Sequence, residues 1–239
     1  MSALKPNTQR ALNLLMLLWV FLGLSAVAFG SGIYRYFLIR KGAAGEEISA
    51  QAAETALLIS NLVAVVTFIV YFTCMVMFIM WFRRAYYNLH QLTSRLSFRE
   101  GWAAGAWFVP IISLYRPYQI MKEMYEETDL ILTKDVDNRS NLSFGHLPWW
   151  WGLWLFANLF SSLVLRYSLT GRAVWHELTP ELLEIVDSFI SIPLTLITIR
   201  VVKEYAIVED DLVLLDEKEK HEPGEHSGIF TESEYRRYL

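Results

Sequence analysis

Apolar residues along this chain are gathered into long blocks instead of being spread at the spacing of a surface helix. Positions 11–32 form a run of 22 residues with no charge, positions 56–82 one of 27, and positions 149–165 one of 17. A fourth apolar stretch, 182–199, is interrupted by Glu184 and Asp187. A helix that crosses a bilayer needs roughly 20 predominantly apolar residues. The pattern therefore predicts an all-α, polytopic membrane protein with four transmembrane helices at about 11–33, 56–82, 149–166 and 182–200. A fifth run, 101–115, is too short to cross; Pro110 breaks it and Arg116-Pro117 closes it. Runs of roughly 10–14 residues suit a re-entrant or interfacial segment, so a hairpin of that kind is expected over about 101–116. Beyond it Tyr118, Met121, Tyr125 and Leu132 recur at helical spacing, with Gln119, Lys122, Glu123, Glu126 and Glu127 on the other side. That is an amphipathic helix over about 117–133, and Pro117 suits its first position.

Composition supports the same class: 54% of residues are hydrophobic, 15% aromatic and only 19% charged. Lys5 and Arg10 ahead of the first block imitate a signal peptide. The block, however, outruns the roughly 7–15-residue core of such a signal, and Gly30-Ser31-Gly32 is its nearest approach to a cleavage site. Cys74 is the one cysteine, so no intrachain disulfide forms. A net charge of −4 with no basic soluble domain gives nucleic-acid binding no support.

Lys and Arg set the orientation. With four crossings and the N-terminus in the cytoplasm, 16 of the 21 basic residues fall inside. Arg83, Arg84, Arg200 and Lys203 lie at span ends, where the positive-inside rule weighs them most. Arg35, Arg40, Lys41, Arg166 and Arg172 remain outside. Both termini are thus expected in the cytoplasm, and the chain divides into a membrane domain, 1–203, and an acidic cytoplasmic tail, 204–239. That tail has 11 acidic against four basic residues. Val208, Val213, Leu214 and Leu215 give it an apolar patch, so a helix is expected to run on from the fourth span, followed by a polar linker over 218–228. Trp149, Trp150, Trp151 and Trp154 at the start of the third span, and Trp81 with Phe82 at the end of the second, read as interfacial anchors. The sequons at Asn138 and Asn141 fall in a loop read as cytoplasmic, where glycosylation does not occur.

Two groups of residues carry candidate chemistry. Arg84 and Asn88 lie one turn apart on one helix face. Arg116 sits between the short apolar run and Pro117, where a guanidinium needs a partner or water. Pro110 removes a backbone donor and frees a carbonyl near Ala106. In a structural reading Arg84 or Asn88 satisfies such groups and pins the hairpin to the second span. In a functional reading Arg84, Arg116 and Gln119 form an anion site for a phosphate or lipid headgroup. The second group is Glu181, Glu184, Asp187 and Ser188 on one face of the fourth span. Pairing of Glu184 or Asp187 with Arg166 or Arg35 is expected, with simple exposure at the outer interface, then a cation or proton pathway, as the alternatives. Pro193 lies further along and is a possible kink.

Enzyme motifs are mostly absent: there is no His-Glu-x-x-His, no Gly-x-Ser-x-Gly and no phosphate-cradling glycine loop. Asp187 is the only aspartate in the spans, which leaves no facing pair. His221 and His226, with Glu222 and Glu225, are metal-capable but stand in a polar linker without further ligands. No cofactor, metal or catalytic residue is assigned.

One resemblance is carried by Trp81, Arg84, Ala85, Asn88, Leu89, Trp102, Ala103, Trp107, Phe108, Val109, Pro110, Leu114, Arg116, Pro117, Tyr118 and Gln119. In that order they resemble the bacterial family named domain of unknown function 4328. The specific part covers about forty residues. The resemblance implies a bacterial inner-membrane protein with about four spans, and it supplies no activity. The leading expectation is a non-catalytic scaffold or accessory subunit acting through its cytoplasmic face, in a homo-oligomer or with a membrane-protein partner. Tyr118, Met121, Tyr125, Phe230 and Tyr235 are the contact candidates. The alternative is a channel, transporter or lipid-binding protein using the hairpin or the fourth-span carboxylates, and an enzyme of another type comes last.

Overall fold

The computed structural model describes residues 4–133, 142–170 and 180–221, with side chains described to 166 in the second stretch and over 181–217 in the third. All regular structure among the described residues is helical: α1 (Thr8–Ala43), α2 (Ala50–Leu92), α3 (Trp102–Gly105), a 3-10 turn (Ile112–Leu114), α4 (Arg116–Thr133), α5 (Leu147–Thr170) and α6 (Pro180–His221). At 1.5 Å per residue the 36 residues of α1 reach about 54 Å and the 43 of α2 about 65 Å, well beyond a hydrocarbon core of about 30 Å. α1 ends where Gly45 takes a left-handed backbone, with φ of 83°. Four residues later the Ser49 hydroxyl caps α2 by accepting the Ala52 N–H at 3.1 Å.

α1 packs along both α2 and α6, α5 packs on α6, and α4 crosses α6 and the end of α2. Gly32 lets α1 approach α6 closely, since a Cβ there would meet the Ile185 side chain at 2.9 Å. The packed core is concentrated at one end of the bundle. It takes in Leu14 of α1, Phe78, Trp81, Phe82 and Tyr86 of α2, Ile120, Met121, Met124 and Tyr125 of α4, Trp150 and Trp151 of α5, and Val201, Val202 and Tyr205 of α6. Towards the other end apolar side chains stand bare, among them Leu58, Leu62 and Phe68. An apolar surface of that extent needs cover other than water. Among the described residues three helices, α1, α2 and α6, are long and apolar enough to cross a membrane. α5, at the expected third span, is not among them; its four tryptophans, which prefer the interface to hydrocarbon, lower its hydropathy.

Segment 101–115 makes no single helix. The one-turn α3 is followed by turns around Pro110 and by the 3-10 turn. Ala103 and Ala106 are buried, and Trp107 meets Phe78, Phe82 and Trp154 in edge-to-face contacts. The indole N–H of Trp151 ties the segment down by donating to the Leu114 carbonyl at 3.0 Å.

The second span is expected to end near Phe82, but α2 runs through Arg83-Arg84 to Leu92, while α6 runs on from the fourth span to His221 as its apolar patch suggests. The division at 203 therefore falls inside a continuous helix whose Tyr205, Val208 and Leu212 are buried, because that stretch covers α4. Most of the expected anchors are core residues. Trp81 and Phe82 are fully buried and Trp150 and Trp151 nearly so, whereas Trp149 is 73% exposed. Tilted ring contacts of Trp81 and Trp150 with Phe78 and stacking between Trp151 and Trp154 explain the difference.

Candidate functional site

The packed end is braced by a buried carboxylate. On α6 the residues Tyr205, Val208, Glu209 and Leu212 occupy one stripe at i, i+3, i+4 and i+7, the spacing of a core-facing face, and Glu209 is only 5% exposed. The Asn7 side-chain amide donates to Glu209 Oε2 at 2.8 Å and the Asn88 amide to Oε1 at 2.8 Å. Each amide spends its second hydrogen on backbone, Asn7 on the Trp81 carbonyl at 3.3 Å and Asn88 on the Lys5 carbonyl at 2.9 Å. Asn88 Oδ1 then accepts the Lys5 N–H at 3.0 Å. The segment before α1 is thereby latched to α2 and α6 through two asparagines and one glutamate. Thr8 adds a bond to Asp210 at 2.7 Å.

Burial pushes the Glu209 carboxyl up to about 7, against the two amide donors, which favour its charged form. The Asp210 charge adds to the rise and the Arg84 charge opposes it. Neighbouring braces follow the same logic. Tyr86 donates to Glu123 at 2.8 Å, and Glu123 also accepts the Ser97 N–H. Tyr125 donates to the Val201 carbonyl at 3.1 Å, and the Thr128 and Tyr205 hydroxyls meet at 3.2 Å. Burial raises the phenols of Tyr86, Tyr125 and Tyr205. His146, also buried, lies 3.4 Å from Glu204, and burial lowers its affinity for a proton.

Beside the latch opens a cleft of about 270 Å³ lined by Lys5, Arg10, Met80, Arg83, Arg84, Tyr87 and Glu100. The Lys5 ammonium lies 4.1 Å from the centre of the Tyr87 ring, Arg10 donates to the Met80 carbonyl at 3.2 Å, and Arg83 stands 3.7 Å from Glu100. Arg84 thus shares its cleft with three other cations and with neither Arg116 nor Gln119. The Arg116 guanidinium instead lies over the Phe98 ring at 4.2 Å, with Tyr115 at 5.5 Å and Trp102 at 5.8 Å. Gln119 is exposed. The expected grouping of Arg84, Arg116 and Gln119 is therefore replaced by a different set. The structural reading is corrected as well: Asn88 holds the N-terminal segment and Glu209, not the hairpin. Pro110 lies at the hairpin turn, where its carbonyl accepts the Ser113 hydroxyl at 2.8 Å, and Pro117 is buried in the first turn of α4.

At the other end Arg35 of α1 reaches two carboxylates of α6, Glu184 at 3.1 Å and Glu181 at 3.5 Å. Asp187 accepts the Ser161 hydroxyl of α5 at 2.6 Å. Of the expected pairs, Arg35 with Glu184 is formed, and Arg166 lies further along α5. Met121 and Tyr125 are fully buried and Tyr118 is half-buried, stacked on Trp151. Their apolar cover is intramolecular, so the face of α4 proposed for contacts is already occupied. Phe230 and Tyr235 lie outside the described residues, as do Asn138, Asn141 and the 222–226 stretch. Among the described residues no group of three metal-ligating side chains gathers.

The family model described as a domain of unknown function (DUF4328) matches residues 44–206. The chain belongs to the DUF4328 family. The matched stretch holds α2, the hairpin, α4, α5 and α6 as far as Ala206, so Arg84 and Asn88 lie inside it while Lys5, Asn7, Arg10 and Glu209 lie outside. The latch therefore ties residues of the DUF4328 stretch to chain on both sides of it. No curated protein and no solved structure matches the chain.

Proposed function

We propose that this DUF4328 protein is a four-pass protein of the bacterial inner membrane, both termini cytoplasmic, that acts as a non-catalytic scaffold or accessory subunit. The observation that carries the reading is the cross-braced end of the bundle. There the polar side chains of the N-terminal segment, α2, α4 and α6 spend their bonds on one another, from Asn7, Asn88 and Glu209 to Tyr86 and Glu123. Such a head is a stiff platform, suited to presenting a surface.

Several features support the placement. α5 has 24 residues, about 36 Å of helix, which is enough for a fourth crossing. The 16 basic residues assigned inside support a cytoplasmic position for the braced head. The hairpin carries Phe108 at 71% exposure and Ile111 at 75%, with Trp149 of α5 at 73%. Three large apolar groups so bare favour insertion of the hairpin tip into the inner leaflet, which is the re-entrant or interfacial placement. A homo-oligomer is the commonest form of assembly, and a membrane-protein partner is the other form this reading allows.

Crosslinking in native membranes tests the role. A photo-reactive residue at Lys122, which is 53% exposed on α4, is expected to give a discrete crosslinked species of fixed mass. Monomer alone at every such exposed position of the head would refute the scaffold.

A further inference from the structure

The latch and the charge pattern come together in the cleft between the starts of α1 and the post-apolar turn of α2. Four cations line it, Lys5, Arg10, Arg83 and Arg84, and its lining holds a single carboxylate, Glu100, which stands beside Arg83. Cations at such spacing repel one another and gain when an anion enters. Their position is fixed by secondary structure. Arg10 immediately precedes the apolar run 11–32, and Arg83 and Arg84 immediately follow the run 56–82, so all three stand where hydrocarbon gives way to headgroups. The fourth is placed by backbone, because Asn88 holds both the N–H and the carbonyl of Lys5. The remaining lining is one ring and one thioether, Tyr87 and Met80, with Met80 44% exposed.

We propose that this cleft is a phosphate-binding site, held by Lys5, Arg10 and Arg84 and fed by the headgroup phosphates of anionic phospholipid in the cytoplasmic leaflet. Guanidinium groups suit phosphate because they bring several N–H donors in a fixed fork, and an ammonium adds a point charge. The volume of about 270 Å³ accommodates a glycerophosphate headgroup, while the acyl chains would lie along exposed residues of the same helices, such as Leu12 and Met16 of α1. The lipid source rests on the topology proposed above; the phosphate chemistry of the cleft does not.

The test is native mass spectrometry and binding of the full chain purified in a neutral detergent. The probes are phosphatidylglycerol, phosphatidylcholine, and glycerol 3-phosphate as a soluble phosphate. Phosphatidylglycerol is expected to remain bound as a discrete adduct, with phosphatidylcholine removed by the detergent. Lys5→Gln leaves the backbone bonds to Asn88 in place and is expected to weaken phosphatidylglycerol about tenfold, as is Arg10→Gln. Lys122→Gln removes one charge from α4, outside the cleft, and is expected to change nothing. Competition by glycerol 3-phosphate as strong as by the lipid would keep the phosphate site and make its source soluble. Equal weakening by Lys122→Gln, or loss of phosphatidylglycerol to the detergent together with no binding of glycerol 3-phosphate, would overturn the site. Because binding is read in detergent, a failed topology and a failed cleft give different results.

Discussion

Replacing Asn88 with Ala removes the hub of the latch. Asn88 is 3% exposed and makes three hydrogen bonds, two to the Lys5 backbone and one to the Glu209 carboxylate. Two neutral bonds contribute about 1 kcal/mol each and the charge-assisted one about 1.5–3 kcal/mol. With water excluded and Glu209 left half satisfied, the loss is expected near ~4 kcal/mol. Glu209→Leu alone strands two amide donors. In the double variant the Asn88–Glu209 bond is lost only once and the Asn7 amide alone stays unpaired, so the two effects should fall short of additivity by about 1.5–3 kcal/mol. Unfolding in detergent, followed by helicity, measures all four corners of the cycle. The pH dependence gives a second reading of the same bond set. Glu209 is pushed from its ordinary 4.5 up to about 7, so the folded chain holds this proton more tightly than the unfolded chain. Stability contributed by this group is full below about 4.5, falls as pH rises to about 7, and is flat above, a loss of roughly 3 kcal/mol at most. The comparison is made against Glu209→Gln, which cannot titrate, so that the opposite slope from buried His146 cancels. Additive effects within about 0.5 kcal/mol, together with an unchanged difference between pH 5 and 8, would refute the latch.

Three further outcomes are expected. Phe108→Glu with Ile111→Glu places two charges on the bare hairpin tip and should reduce membrane-inserted protein, as read by fractionation, while Gln119→Glu with Lys122→Glu at exposed positions of α4 should not. Arg35→Met should destabilise more than Arg35→Met combined with Glu181→Gln, because the single change leaves a carboxylate with 16% side-chain exposure unpaired; Glu184→Gln, at 52%, should change stability by less than about 0.5 kcal/mol. Trp151→Phe removes the bond to the Leu114 carbonyl and should cost about 1 kcal/mol, read as faster proteolysis within the hairpin.

What the sequence reveals here is where the chain prefers lipid. Hydropathy located α1, α2 and α6, and the alternation of Met121 and Tyr125 with Lys122 and Glu126 located α4 at Arg116–Thr133, against 117–133 expected. Hydropathy does not say where a helix stops. Nothing in Arg83 to Leu92 or in Lys203 to His221 breaks a helix, so both run on and pair with α4. The latch is hidden for a different reason: Asn7 and Glu209 are 202 positions apart and Asn88 and Glu209 are 121 apart. One local signal was present, a glutamate at i+4 in the stripe of Tyr205, Val208 and Leu212, and acidic composition masked it. The tryptophans misled because a lipid belt and a stacked core draw on the same residues, and only neighbours such as Phe78 separate the two uses.

The account depends most on the braced end lying in the cytoplasm with four crossings behind it. Single cysteines at Gly42, Ser140, Gly171 and the C-terminus, in a Cys74→Ser background, report this when labelled in intact cells with a membrane-impermeant thiol reagent. Gly42 and Gly171 are expected to label from outside, and Ser140 and the C-terminus only after the membrane is opened. Labelling of Ser140 from outside would contradict the account.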